Sequence, residues 1–411
     1  MVNLPRFCIA SILMPAAASA MLGCSSTAGE RTSPSRMEQI NRSLAAAATF
    51  LIHQQSPDGA WRPDTYGVFK DGPSLTPLVL QAILATPPGP RQESALHKGT
   101  RYLANMVQAD GRIDAGPRGL SYPVYTAANA VLVLSQPCNA QYLKARATWL
   151  AYLRARQLTE ELGWQPADRE YGGWGYANGL PRKPKPGEPV PPLTESNLSA
   201  TVCALSALHA AGVPATDPAF KKALTFVKRC QNYGDDPTLR DRALDDGGFF
   251  FIYDDAVRNK AGVSGSDALG HQRYASYGST TADGLRALLA CGLPSADNRL
   301  IAARIWLEKN FNPADHPGSY ARERLGDRSA LYFYYCYSVS QAFRMLGLQE
   351  VQAAAGKVLW AEALADELLK RQRSDGSWIN PARAVREDEP VLATSFAAIA
   401  LGNCREFLSG N

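Results

Sequence analysis

The chain has 411 residues, with 43 Lys and Arg against 38 Asp and Glu and a formal net charge of +5. The charges are interspersed rather than massed in a patch, so nothing points to nucleic acid. Length alone admits two domains, and the pattern along the chain decides for one.

Residues 1–23 read as an export signal. Arg6 precedes an apolar, Ala-rich run over 7–23 that Pro15 interrupts. The run ends in Met21-Leu22-Gly23-Cys24-Ser25, which resembles a lipoprotein box with Met21 where Leu is preferred. Lipidation on Cys24 is the reading, and cleavage after Ala18-Ser19-Ala20 is the alternative, which would give a periplasmic or secreted protein. Small polar residues over 24–36 form a flexible tether. Ser25 is not Asp, so in a cell with two membranes the outer one is the expected home. The expected partner is therefore the membrane, held through an N-terminal lipid. No other stretch reads as a spanning helix.

Over 37–404 one helical hairpin recurs six times, and such a repeat decides architecture before any single residue is weighed. First helices are predicted over 37–55, 93–108, 140–158, 217–231, 297–311 and 357–373, and second helices over 74–86, 122–135, 194–212, 276–292, 331–347 and 390–403. A Gly turn joins the members of each pair. The signature is plainest in Gln55-Ser56-Pro57-Asp58-Gly59-Ala60-Trp61 and in Gln372-Arg373-Ser374-Asp375-Gly376-Ser377-Trp378. Gly suits the left-handed position past a helix end, and Asp favours the turn.

The two kinds of helix differ. In the last first-helix Trp360, Leu364, Leu368 and Gln372 recur every four residues, with Glu362, Asp366, Glu367 and Lys370 on the other face. The last second-helix is free of charge from Val391 to Leu401 and should be buried nearly all round. An outer amphipathic ring around an inner apolar ring satisfies both patterns. The fold class is all-α, an α/α toroid with a central cavity.

The loops from first to second helix are long (159–193, 232–275 and 312–330), so one rim should carry a lid. Residues 180–192 are basic and Pro-rich, an extended arm. Segment 232–275 could fold back over the cavity. Six second-helix N-termini converge at this rim and would favour a bound anion or an electron-rich group. Candidate ligand-binding residues there are Tyr122, Tyr125, Asn197, Tyr277, Tyr332 and Tyr334. On this reading, Tyr277→Phe and Tyr334→Phe weaken ligand binding without lowering the melting temperature; the alternative is barrel packing with hydroxyls at the wet end, for which both would fall equally.

The chain resembles the prenyltransferase and squalene-cyclase repeat superfamily, whose repeats carry Gln and Trp around an Asp-Gly turn. The resemblance covers about 37–404 and is carried by 50–61 and 368–378, with a weaker match at 171–176. Squalene cyclases join two such barrels, and this chain has room for one. The resemblance implies a zinc site in protein prenyltransferases, but its His position falls on Tyr334 and its Asp and Cys positions fall on Tyr277 and Ser279. Zinc-dependent prenylation is thus not expected, and neither a metal nor a cofactor is called for. Protonating cyclases use Asp-x-Asp-Asp, which this chain lacks.

The remaining candidate acids are Asp283, Asp245, Asp246 and Glu195. A cavity-facing Asp283 would be pushed up by burial, whereas Asp245 and Asp246 also read as solvated turn residues. Glu195 and Asp283 would form a glycosidase pair only if opposed. The cysteines beyond Cys24 are scattered and read as small hydrophobes. The expected function is to bind or transform an isoprenoid-like or other hydrophobic small molecule. The alternatives are a non-catalytic envelope scaffold or binding protein and a glycan-active hydrolase or lyase.

Overall fold

The computed structural model describes residues 34–410 except 117–118, 236–237, 239–240, 242 and 268–269. The export signal, Cys24 and the tether up to residue 33 lie outside the described residues.

Six helices form an inner ring: α2 (Thr76–Leu84), α4 (Pro123–Leu134), α6 (Leu198–Ala210), α8 (Gly278–Ala290), α11 (Tyr332–Met345) and α13 (Pro390–Leu408). Each packs against the next in chain order, and α13 packs back against α2, so the ring closes. Six more surround it: α1 (Arg36–His53), α3 (Pro90–Asn105), α5 (Leu143–Arg154), α7 (Pro218–Arg229), α9 (Asn298–Asn310) and α12 (Trp360–Arg371). The short α10 (Leu325–Ala330) leads into α11.

Burial follows the pattern of charge. Every α6 residue from Leu198 to Leu205 is buried. On α7 only one stripe is buried: Ala219, Phe220, Ala223, Phe226 and Val227. Helix starts are set locally. Ser35 and Glu38 make a reciprocal capping box on α1, and Asp217 and Asp297 cap α7 and α9.

The repeat signature is a set of hydrogen bonds. Just past an outer helix, a Gln side chain donates to the carbonyl of its own Gly turn and to a carbonyl on the next outer helix. Gln55 bonds Gly59 and Ala95, both at 3.0 Å. Gln157 bonds Gly172 and Ala219 at 2.8 and 2.9 Å, and Gln231 bonds Gly247 and Arg299 at 3.0 and 2.8 Å. The indoles of Trp61, Trp174 and Trp378 each donate back to their own outer helix, at Leu51, Leu153 and Leu368. The backbone N–H of Trp61, Trp174, Phe249 and Trp378 donates to a Thr hydroxyl on the inner helix: Thr76, Thr201, Thr281 and Thr394. One turn thereby fixes three helices at once.

Four features depart from the predicted elements. Helix α6 starts at Leu198 because Ser196–Asn197 pairs as β2 with Trp174–Gly175, β1. A second hairpin, β3 (Val263–Ser266) with β4 (Gln272–Tyr274), lies in the lid. At the opposite rim the connection after α11 forms β5 (Glu350–Ala353) and β6 (Gly356–Leu359). Helix α13 runs on to Leu408, 19 residues, long and apolar enough to cross a membrane. It is instead a wall of the inner ring, packed on α11, α12, α1 and α2 and mostly buried.

Candidate functional site

The toroid encloses a cavity of about 360 Å³. Its depth is marked by helical turns. Tyr125, Ser199, Ser279 and Tyr334 stand near the lid end of their helices, and Asn129, Cys203, Tyr337 and Phe396 lie a turn or more further in. Above them the lid adds Phe69, Tyr122, Tyr176, Phe251, Arg258, Lys260, Arg386 and Glu387. Of segment 232–275, Phe251, Arg258 and Lys260 reach the cavity.

The aromatic side chains hold one another. Tyr125 and Tyr176 share a hydroxyl hydrogen bond of 2.9 Å with ring centroids 5.5 Å apart. Tyr334 and Tyr337 stack at 5.9 Å, and Phe396 meets both, at 5.4 and 5.2 Å. Offset and edge-on contacts of this kind fix ring orientation. Burial pushes the Cys203 thiol up to about 12, so it stays protonated.

Asp283 is fully buried behind this wall, at the base of a polar network. Its carboxylate accepts from Tyr334 at 2.7 Å, from Ser199 at 3.0 Å, from Arg286 at 3.1 Å and from Ser338. Burial raises its carboxyl above the usual range, against the pull of Arg286, Ser338, Tyr334 and Ser199. Arg286, also buried, donates onward to Gln341 at 2.9 Å. Tyr334 and Ser199 line the cavity, whereas Asp283 does not.

Glu387 is the carboxylate among the described lining residues. It sits across the N-terminus of α11 and accepts from the N–H groups of Phe333 and Tyr334 at 3.0 and 2.7 Å and from Asn380 at 2.9 Å. Burial pushes it up to about 7 despite these donors. His316 plays the matching part on α8. Its Nε2 accepts from the N–H of Ser279 at 2.9 Å, which leaves Nδ1 to donate to Tyr320 at 3.2 Å. Burial lowers it to about 3, so the imidazole is neutral. Asn197 caps α6 and Glu389 caps α13. Four of the six converging N-termini, those of α6, α8, α11 and α13, are thus occupied by the protein's own acceptors and not left open for an anion.

No protein-family model matches the chain, and none of the curated proteins does. Solved structures do. The type II terpene cyclase MstE from Scytonema, bound to its substrate geranylgeranyl dihydroxybenzoate, superposes with a TM-score of 0.52 at 14% identity, over 90% of this chain and 99% of its own. The cellobiose 2-epimerase from Spirochaeta thermophila gives 0.55 at 13% identity, over 91% and 98%. The GH76A alpha-1,6-mannanase from Salegentibacter gives 0.50 at 9%, over 90% and 99%. The chain has their α/α-toroid fold. At these identities the likeness concerns the fold alone.

Within the toroid the residues predicted from sequence divide. Tyr122, Tyr125, Tyr277 and Tyr334 line the cavity together. Tyr332 does not: its hydroxyl donates to Pro313 at 2.7 Å and its ring lies under Arg371, 4.0 Å away. Asn197 does not either, since its side chain is spent on the α6 cap. Asp245 pairs with Arg273 at 2.7 Å, and Asp246 accepts from Ser276 at 2.7 Å and Trp306 at 2.9 Å, so both brace the fourth turn away from the cavity. Glu195 pairs with Arg258 at 3.2 Å and does not face Asp283 across the cavity. Sequence reasoning missed Arg386, Glu387, Tyr176 and Phe396. Arg386-Glu387-Asp388-Glu389 reads as a solvated charge run, and only the return of that loop over the rim gives it a role.

Proposed function

We propose that the toroid takes up an isoprenoid-like ligand in its central cavity. The observation that carries this is the lining: six tyrosines (Tyr122, Tyr125, Tyr176, Tyr277, Tyr334, Tyr337) and three phenylalanines (Phe69, Phe251, Phe396) around about 360 Å³. That volume is within the range of small-molecule sites. Aromatic faces suit an unsaturated chain and would also steady a cation developing on it. Support also comes from the fold shared with MstE, whose bound substrate carries a geranylgeranyl chain. A canonical glycosidase uses two opposed carboxyls, and the described lining offers Glu387, already committed to three N–H donors. Asp283 reaches the cavity only through Tyr334 and Ser199 and is engaged by Arg286, an arrangement that favours binding over proton transfer.

We further propose that the protein works at the cell envelope, anchored through Cys24, a reading that rests on residues 6–25 of the sequence. Two measurements test these proposals. Native mass spectrometry of the protein purified from its own host should show a stoichiometric isoprenoid, and an empty protein would defeat the first proposal. Intact-mass analysis should find Cys24 as a lipidated N-terminus; an unmodified protein beginning elsewhere would defeat the second.

A further inference from the structure

Among the described residues three cations line the cavity, and two of them are neutralised within the lid. Arg258 pairs with Asp255 at 2.5 Å and Glu195 at 3.2 Å, and Lys260 pairs with Asp327 at 3.5 Å. Arg386 has no carboxylate within ion-pair distance among the described residues. Its guanidinium instead lies over the rings of Tyr66, Phe69 and Tyr122, 5.3 to 5.8 Å from their centroids, and donates to the Tyr122 hydroxyl. A guanidinium held by aromatic rings keeps its charge but has no counter-ion.

The backbone tells the same story. Four non-glycine residues among those described have positive φ, and two of them are Arg386 (φ 66°) and Tyr122 (φ 48°). They come from opposite ends of the sequence, both line the cavity, and their side chains are bonded to each other. Left-handed backbone at a residue with a Cβ is unfavourable and gathers at ligand clamps. Glu387, next in sequence, also lines the cavity, but both of its oxygens accept from N–H donors of α11 and Asn380 and it makes no ion pair with Arg386.

We propose that Arg386, with the Tyr122 hydroxyl, binds an anionic head group carried by the cavity's ligand, a carboxylate or a phosphate. The ligand is then an amphiphile, its apolar chain running down toward Phe396 and its anion held at the rim. Arg258 faces the same space with a buried Nη1 that has no hydrogen-bond partner. This inference rests on the cavity being a site for apolar chains.

The test measures the affinities of the full-length protein for farnesol, farnesoic acid and farnesyl phosphate. At least one anionic ligand should bind about tenfold or more tighter than farnesol, the scale of a charge-assisted bidentate contact. Arg386→Gln should bring that ratio near one, and Arg386→Lys, which also controls for folding, should keep much of it. Carboxylate and phosphate are told apart by which ligand gains. Equal affinities for all three ligands in the wild-type protein overturn the proposal, as does a ratio that survives Arg386→Gln. If none of the three binds, the cavity reading itself fails.

Discussion

Gln372, at the end of α12, donates through Nε2 to the carbonyl of Ser43 on α1 at 2.9 Å, across 329 positions of sequence. It is the same stitch that joins neighbouring hairpins through Gln55, Gln157 and Gln231. The last repeat therefore treats the first as its successor, and the array closes instead of continuing as an open solenoid. Gly376 completes the contact. At φ 86° it presents a hydrogen to Ala46, and a Cβ there would lie 2.5 Å from the Ala46 carbonyl oxygen.

Gln372→Ala should therefore cost about 2 kcal/mol, since it leaves the carbonyls of Ser43 and Gly376 without their donor. Gln157→Ala should cost a similar amount, because the geometry is repeated. Gly376→Ala should cost more, combining an unfavourable φ with a backbone clash. Urea unfolding read by circular dichroism measures all three. A change below about 0.5 kcal/mol for Gln372→Ala, the range of an ordinary surface substitution, would mean that the ring closes on packing alone.

Asp283 and Arg286 form a buried ion pair, with side chains 0% and 4% exposed. Asp283→Asn leaves a guanidinium in the interior without its counter-ion, and roughly 3–5 kcal/mol should be lost. Removing both charges together, as Asp283→Leu with Arg286→Met, should recover most of that loss, because desolvation of the pair no longer opposes folding. A double-mutant cycle in urea gives the coupling. Additive losses would show that the two charges do not depend on each other.

Tyr334→Phe removes a donor from Asp283, so about 1 kcal/mol of stability should go with the hydroxyl. The sequence reading expects loss of this hydroxyl to affect ligand uptake alone, whereas the hydrogen bond to Asp283 ties it to stability as well. Thermal melting of Tyr334→Phe beside the wild type decides it, an unchanged midpoint being the contrary result.

The fold was legible because it is periodic. The turn is stated in Gln, Asp-Gly and Trp at 55–61 and 372–378, and inner helices such as α6 and α13 carry long uncharged runs, so boundaries came within a few residues. What failed to show were contacts between distant loops. Tyr332 and Tyr334 are two apart on one helix, and only the ring geometry sends the first toward Arg371 and the second into the cavity. Asp245 and Asp246 looked like free acids because their partners, Arg273, Ser276 and Trp306, sit 28 to 60 positions away. Arg386 carries no motif at all. Its position over Tyr122, 264 residues earlier, follows from closure of the ring.

His316 and Glu387 cap neighbouring inner helices, and their titrations oppose each other. Burial raises Glu387 from 4.5 to about 7. Between those values the folded state holds a proton that the unfolded chain has released, so this residue makes stability fall as pH rises. Burial lowers His316 from 6.5 to about 3. Between those values the unfolded chain holds the proton, so this residue makes stability fall as pH falls. From pH 4.5 to 6.5 the two slopes have opposite sign and nearly cancel. The wild-type protein should therefore show little pH dependence from this pair in that window. His316→Gln should unmask a loss of stability on going from pH 4.5 to 6.5, and Glu387→Gln a gain over the same interval. Each difference from wild type should reach about 2 to 3 kcal/mol, at 1.36 kcal/mol per pH unit for one proton. Urea midpoints at half-unit steps of pH measure it. Two variants whose stabilities run parallel to the wild type would show that neither cap titrates in this range.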